Sequence, residues 1–317
     1  MLRLFDFTDG KLREQKLEGA ILDHSIFKVG WVDAQDTSDD ERDRLEALLH
    51  TELPESDDVE EIESSARYFV DSNGIHVHSL FLAQSEGRFD PVTVAFILQA
   101  QRLITVRDGE LADFRLLRMR ARRGQIDVHT ASELLLTIFE QKVENLADAI
   151  EDLHHELETV SHTVLEDEDA DLEAAIDDLA NIEDSNGKIR LCLMDTQRSI
   201  SFLQRQLRDQ AVMQEIVPDV LRDIDTLMSH TTFLFDKINF LMDTAQGFIN
   251  IKQNQIIKTF SIAAVVFLPP TLVASLYGMN FKMMPELEWT YGYPLAIGLM
   301  ILAGIAPYWY FKRKGWL

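Results

Sequence analysis

Apolar and polar residues alternate over residues 65–84, SARYFVDSNGIHVHSLFLAQ, on both sides of Asn73-Gly74, which predicts a strand, a turn and a strand. VTVAFILQAQRLITVRD, residues 92–108, predicts a second strand pair, and ELADFRLLRMRARR from Glu110 opens a helix. From Ala131 the pattern turns helical. It runs through ASELLLTIFEQKVENLADAIEDLHHELETVSHTVL and resumes from about Leu172 to Leu207, with the acidic stretch Glu166 to Asp171 as a solvated turn between the two helices. After a break near Asp209 to Pro218, Gly247 is the only helix breaker before Pro269. One helix is therefore predicted over Asp219 to Tyr277, on the order of 90 Å long at about 1.5 Å per residue.

Two faces of that helix differ. Ile224, Leu227, Thr231, Leu234, Ile238, Leu241, Ala245 and Phe248 recur at spacings of three and four, the seam of a helix packed along its length. About half a turn away, the same stepping gives Asp236, Phe240, Asp243, Gly247, Asn250, Asn254, Ile257, Ser261, Ala264, Leu268, Thr271 and Ser275. The polar residues from 259 to 276 are Thr259, Ser261, Thr271 and Ser275, and the last three fall on this one line. Any single hydroxyl can bond its own helix backbone. An aligned set that continues into Asn254, Asn250 and Asp243 reads better as a pore lining shared by a ring of identical subunits. Pro269-Pro270 frees nearby carbonyls, which need partners or water.

The end of the chain is predicted to cross a membrane twice. Residues 259–281 and 289–311 are free of charge, and each is long enough to span about 30 Å of hydrocarbon. Trp289, Tyr291, Tyr293, Tyr308, Trp309 and Tyr310 lie at their ends, as interfacial aromatics do. Lys252 and Lys258 precede the first span and Lys312, Arg313 and Lys314 follow the second, which puts both termini in the cytosol and a short loop outside. The chain is predicted to divide into a cytosolic α/β domain over 1–130, a helical region with the stalk helix over 131–250, and a transmembrane region over 251–317. In the last, helices at about 259–277 and 291–311 flank an external loop at 278–290. The fold class is an α+β domain, a mixed sheet with helices, joined by a long stalk helix to a two-helix transmembrane region.

Charge sharpens this picture. The net formal charge is −24, and only five basic residues and two acidic ones lie after residue 253, which leaves the preceding part near −27. Such a field repels nucleic acid and anionic lipid and concentrates cations. The single Cys192 excludes an internal disulfide, and its apolar surroundings mark a buried thiol in a reducing compartment. MLRLFDFTDG lacks the apolar stretch of a secretion signal. His76 and His78 share a strand face, and His155 and His162 lie two helical turns apart, but neither pair brings enough further ligands for zinc. No phosphate-binding glycine loop or Ser/His/Asp grouping stands out, so no enzyme activity and no organic cofactor are expected.

The first span ends in YGMN, Tyr277 to Asn280, where Gly278 suits the left-handed position that stops a helix. FKMMPELEWTYGYP follows, with MPEL at Met284 to Leu287. YGMN and MPEL between two C-terminal spans, ahead of a basic tail ending in Trp316-Leu317, resemble the CorA magnesium channels. EIESSARYF, RLCLMDTQR, GFINIKQNQIIK and VVFLPPTLVAS look like the enterobacterial-type branch of that family. The resemblance implies a homopentameric funnel in the cytoplasmic membrane, with the stalk helix lining the pore and the second span outside it. It implies a selectivity filter at Gly278, Met279 and Asn280, an inner-mouth asparagine at Asn254, and a pore-facing aspartate at Asp243. It further implies hydrophobic constrictions at Ile257, Phe260 and Leu268 and a pore threonine at Thr271. Phe260 and Ser261 compete for one pore-facing position, since the helical line favours Ser261.

A ring of Asn280 amides suits Mg2+, which sheds its waters reluctantly, because amide oxygens accept hydrogen bonds from those waters without stripping them. Glu286 and Glu288 in the loop would gather cations. Cytosolic Mg2+ bridging carboxylates between subunits, with Asp219 and Asp223 as candidates, would close the pore and make the ion both cargo and regulator. The expectation is a Mg2+ influx channel that also admits Co2+ and Ni2+, with itself, membrane lipid and divalent cations as partners. The alternatives are a zinc transporter of the same superfamily and a membrane-anchored sensor without transport.

Overall fold

The computed structural model describes residues 1–15, 29–49, 67–85, 88–167, 169–280, 284–285 and 288–315. These divide into two compact units, Met1–Met242 and Asp243–Leu317.

The first unit is built on a seven-stranded mixed sheet. Its strands are β1 (Leu2–Thr8), β2 (Lys11–Gln15), β3 (Trp31–Gln35), β4 (Tyr68–Val70), β5 (Ile75–Ser85), β6 (Arg88–Leu98) and β7 (Leu103–Arg107), in the order β2-β1-β3-β7-β6-β5-β4. The pairs read from alternation are present. β4 and β5 pair antiparallel with Val70 opposite Ile75, and β6 and β7 with Leu98 opposite Leu103. The turn between β4 and β5 spans Asp71 to Gly74, wider than a two-residue Asn-Gly turn. The Asp71 carboxylate accepts from the backbone N–H groups of Asn73 (2.8 Å) and Gly74 (3.0 Å), and Gly74 has φ +148°. The sheet is mixed because β3 and β7 run parallel, in register from Trp31–Leu103 to Gln35–Arg107.

Helices α1 (Asp39–Leu49), α2 (Ala112–Arg122), α3 (Ala131–Glu166) and α4 (Leu172–Gln206) complete most of the unit. α3 and α4 pack on one another, and α4 packs on β5 and β6. Both long helices start at side-chain caps, which replace the partners that first-turn N–H groups lack. Thr130 Oγ1 accepts from Glu133 N at 3.2 Å, and the Asp171 carboxylate accepts from Glu173 N and Ala174 N. The acidic stretch between the helices thus supplies the cap of α4. Phe5, Trp31, Phe81, Phe96, Phe114 and Phe139 fill the core with tilted and stacked rings.

Buried charge also sits in this unit. Asp33 is fully buried and receives Arg107 at 3.1 Å, Arg118 at 3.4 Å and Arg3 at 3.5 Å. Asp113 is buried beside Asn145, whose Nδ2 donates to it at 2.7 Å, yet burial pushes its carboxyl up to about 6. A carboxyl raised in the folded state favours folding below its unfolded value and loses that contribution as pH rises through about 6. Asp113→Asn should therefore raise the thermal midpoint of the full chain at pH 7.5 by a few degrees and leave it unchanged at pH 4. A scanning-fluorimetry comparison at the two pH values checks this.

Beyond α4, the break near 209–218 contains the one-turn helix α5 (Ala211–Glu215), and the long helix α6 (Val217–Tyr277) begins with Pro218 in its first turn, where a missing N–H costs nothing. Of the seam, Ile224, Thr231, Leu234, Ile238, Leu241 and Ala245 are buried, Leu227 is half-buried and Phe248 is exposed. α4 grips α6 through polar groups as well. Asn186 donates to the Thr231 carbonyl at 3.0 Å, Arg190 to the Thr232 hydroxyl at 2.7 Å, and Gln197 to Asp225 at 2.9 Å.

Candidate pore lining and outer mouth

The Asp243–Leu317 unit consists of the later part of α6 and of α7 (Gly292–Arg313). Its two apolar windows have mean hydropathies of 1.9 and 1.5, and only 6% of each is buried. A core helix of equal apolarity would be mostly enclosed, so these helices are long, apolar and exposed enough to cross a membrane.

Pro269 and Pro270 lie inside α6 and cannot donate to the carbonyls four residues earlier. Gly304 of α7 sits at this point: a Cβ there would lie 3.4 Å from Pro270 Cγ and 3.8 Å from the Val266 carbonyl oxygen. The absence of a side chain thus lets α7 approach the proline segment. Ile262, Ala263, Val266, Pro269, Pro270, Val273 and Tyr277 are half-buried and form the α6 stripe on that side, while Ala296 of α7 is buried.

The polar line occupies the other side. Asp243, Asn250, Asn254, Ile257, Ser261, Ala264, Leu268, Thr271 and Ser275 are all exposed; Gly247 is half-buried. At about 100° per residue, Ala264, Leu268, Thr271 and Ser275 lie opposite Val266. Phe260 is 73% exposed and Ser261 is also exposed, so one chain does not choose between them. The hydroxyls divide. Thr259, off the line, and Thr271, on it, donate to the carbonyls four residues back, at 3.0 and 2.8 Å. Ser261 and Ser275 have no such bond among the described residues.

α6 stops at Tyr277, but Gly278 is not left-handed as its sequence context suggests. Its N–H instead continues the helical pattern to the Ala274 carbonyl at 2.9 Å, and an added Cβ would come 3.1 Å from that oxygen. The helix ends by unwinding after this bond, and glycine is favoured there by close approach to the carbonyl. Met279 and Asn280 follow, both exposed, and the Asn280 amide has no partner among the described residues. Glu288 is exposed; Glu286 lies outside the described residues. Asp219 and Asp223 are exposed in the first turns of α6, with Arg222 donating to Asp219 at 2.8 Å. No group of three or more metal-ligating side chains forms among the described residues of one chain.

A mixed-sheet α+β domain, a helix of 61 residues and a second apolar helix, both helices long and apolar enough to cross a membrane, match the class of membrane ion transporters. The profile described as CorA-like Mg2+ transporter protein matches residues 28–313, and the chain belongs to that family. The magnesium transport protein CorA of Salmonella typhimurium is 48% identical over the whole of both chains, as is that of Escherichia coli K12. The complete structure of the CorA magnesium transporter from Methanocaldococcus jannaschii shares the fold, with a TM-score of 0.78 at 18% identity, covering 100% of this chain and 99% of that one.

The buried charge at Asp33 has no local signature in the sequence, since Arg3, Arg107 and Arg118 reach it from distant segments. The five arginines of ELADFRLLRMRARR, a stretch whose pattern predicts only a helix, are the sequence signal of a basic surface.

Proposed function

We propose that the chain is the subunit of a homopentameric channel in the cytoplasmic membrane that carries Mg2+, and with it Co2+ and Ni2+, inward down the electrochemical gradient. The observation that carries this reading is the exposed polar line on the α6 face away from α7, ending at Asn280, whose amide has no partner among the described residues. A two-helix subunit cannot enclose a pore, so five copies of this line would form one. Near-complete identity of length and 48% identity to magnesium transport proteins favour Mg2+ over Zn2+ as cargo. Asn280 amide oxygens would receive the hydrated ion at the outer mouth, with Gly278 and Met279 shaping the filter. Ser261 and Ser275, whose hydroxyls have no partner among the described residues, would meet its waters, while Ile257, Phe260 and Leu268 would narrow the path. Asn254, Asn250 and Asp243 would receive it inside, and Glu286 and Glu288 would raise its concentration outside.

The test is Mg2+ uptake into liposomes carrying the purified protein, with an inside-negative potential and internal Mg2+ removed. Uptake above protein-free liposomes is the expected result. Its absence in a correctly inserted protein would favour the sensor reading.

The charge of the chain supports closure by cytosolic Mg2+. Five cytosolic portions, each near −27, repel one another. Mg2+ shared between Asp219 and Asp223 of neighbouring subunits would relieve that repulsion and favour a closed ring. Asp219→Asn/Asp223→Asn should keep uptake but require several-fold more internal Mg2+ for inhibition. An unchanged inhibition curve would remove these two carboxylates from the regulatory site.

A further inference from the structure

The Met1–Met242 unit carries one inversion of charge. In a chain of net charge −24, the groove between β2 and α2 is lined by seven basic side chains and a single carboxylate, Glu14. The groove has a volume of about 820 Å³ and runs on into a recess of about 510 Å³, with Arg3, Arg122 and Arg123 lining both. That is room for a small-molecule ligand.

Three of the seven cations are already engaged. Arg3 and Arg118 turn toward Asp33, at 3.5 and 3.4 Å, and Arg122 meets Glu14 at 2.7 Å. The other four, Lys11, Arg13, Arg115 and Arg123, are exposed, and their side chains have no ionic or hydrogen-bond partner among the described residues. Even Asp6, opposite Arg13 in the β1–β2 pair, instead accepts from Gln15 at 3.3 Å.

The helix dipole does not account for this collection. It favours Arg122 and Arg123 at the C-terminal end of α2, but it disfavours Arg115 near the N-terminal end and has no bearing on Lys11 and Arg13 of β2. Two elements packed on one another bring these like charges together, with Glu14 the one carboxylate lining the groove among the described residues. Arginine predominates, and its planar fork binds phosphate oxygens bidentately where lysine offers a point charge.

We propose that this groove binds a polyphosphate anion of the nucleoside di- or triphosphate class, held by Arg13, Arg115 and Arg123 with Lys11 as an added charge. A single phosphate group carries about two negative charges, so four free cations match a chain of two or three phosphates better than one. The inference is independent of the pore reading, since none of these residues belongs to the polar line or the outer mouth. Polyanionic lipid headgroups carry the same phosphate chemistry, and the experiment separates the two sources.

Equilibrium dialysis of the detergent-solubilised full chain against labelled ATP, in EDTA and at physiological salt, tests it. The expected result is saturable binding displaced by inorganic pyrophosphate. Arg13→Ala/Arg123→Ala should weaken it by about tenfold or more, the scale of one or two charged hydrogen bonds. Arg205→Ala/Arg208→Ala, which removes the same charge from exposed positions at the end of α4 and just after it, should leave it unchanged. Displacement by a short-chain phosphoinositide at lower concentration than by pyrophosphate assigns the same site to a lipid headgroup. The conservative Arg13→Lys/Arg123→Lys variant retains the charge and guards against misfolding; it should bind more weakly than wild type but saturably. No saturable binding by wild type, or equal loss in the groove variant and the α4 control, overturns the proposal.

Discussion

Asn280→Ala should reduce Mg2+ uptake by the reconstituted protein to the level of protein-free liposomes while leaving expression, insertion and thermal stability unchanged. The two halves of this expectation rest on separate observations. Stability is spared because the Asn280 side chain is exposed and bonds to nothing among the described residues, so its removal leaves no orphaned polar group. Uptake is lost because the amide oxygen is the polar acceptor that follows the end of α6, and in a ring every copy would be lost at once. Mg2+ holds its waters tightly, so a mouth without acceptors must either strip them or let the ion pass unrecognised. Asn280→Asp discriminates further. A ring of carboxylates would bind the ion more strongly and release it more slowly, so uptake should fall while competition by other divalent cations changes rank. Wild-type uptake in Asn280→Ala would move the filter elsewhere along the line, with Asn254 the next acceptor to test.

The parts of the fold that were legible in the sequence are those whose signal is local. The 3.6-residue pattern from Ala131 gave both helices of the α3–α4 pair, and the lack of breakers before Pro269 gave α6 almost to the residue. Alternation around Asn73-Gly74 and around Gln99 to Arg102 gave two antiparallel pairs, because short turns fix the register of what they join. The parallel pairing of β3 with β7 was not legible, since Trp31 and Leu103 are 72 positions apart and no local pattern encodes that choice. The site shows the same division. The stepping of Asn254, Ser261, Ala264, Leu268, Thr271 and Ser275 placed them on one exposed face. Gly278 did not follow its pattern: glycine after a helix suggests a left-handed residue, but here close approach to the Ala274 carbonyl accounts for it instead. Long-range burial of charge was the hardest to foresee, because partners such as Arg67 and Asp195 are 128 residues apart.

That pair belongs to the polar cluster on which the second large effect is expected: Asp195→Ala should destabilise the sheet-bearing unit by about 3–5 kcal/mol, the cost of removing one partner from a buried ion pair. Asp195 is buried on α4 and accepts four hydrogen bonds from β5, β4 and the residue before β4: Leu80 N at 2.8 Å, the Ser79 hydroxyl at 2.6 Å, Tyr68 at 3.2 Å and Arg67 at 3.2 Å. Lys142 of α3 is fully enclosed. Its ammonium donates to Ser79 at 2.9 Å, lies 3.9 Å from Asp195 and sits 4.5 Å from the centre of the Phe81 ring. Burial lowers its pKa, and the carboxylates of Asp195 and Asp113 act against that shift. Removing Asp195 leaves this cation without its counter-charge and leaves the buried Leu80 N–H without an acceptor. A second substitution separates these two losses. If the unpaired cation dominates, Lys142→Met added to Asp195→Ala should recover part of the stability, since a thioether fills the slot between Phe81 and Phe139 without charge. If the loss is mainly that of the hydrogen bonds to β4 and β5, the double variant should be no more stable than Asp195→Ala alone. Denaturant or thermal unfolding of the four members of this cycle, monitored by tryptophan fluorescence, gives the coupling energy directly, and additive effects would show that Lys142 and Asp195 are neighbours without being partners.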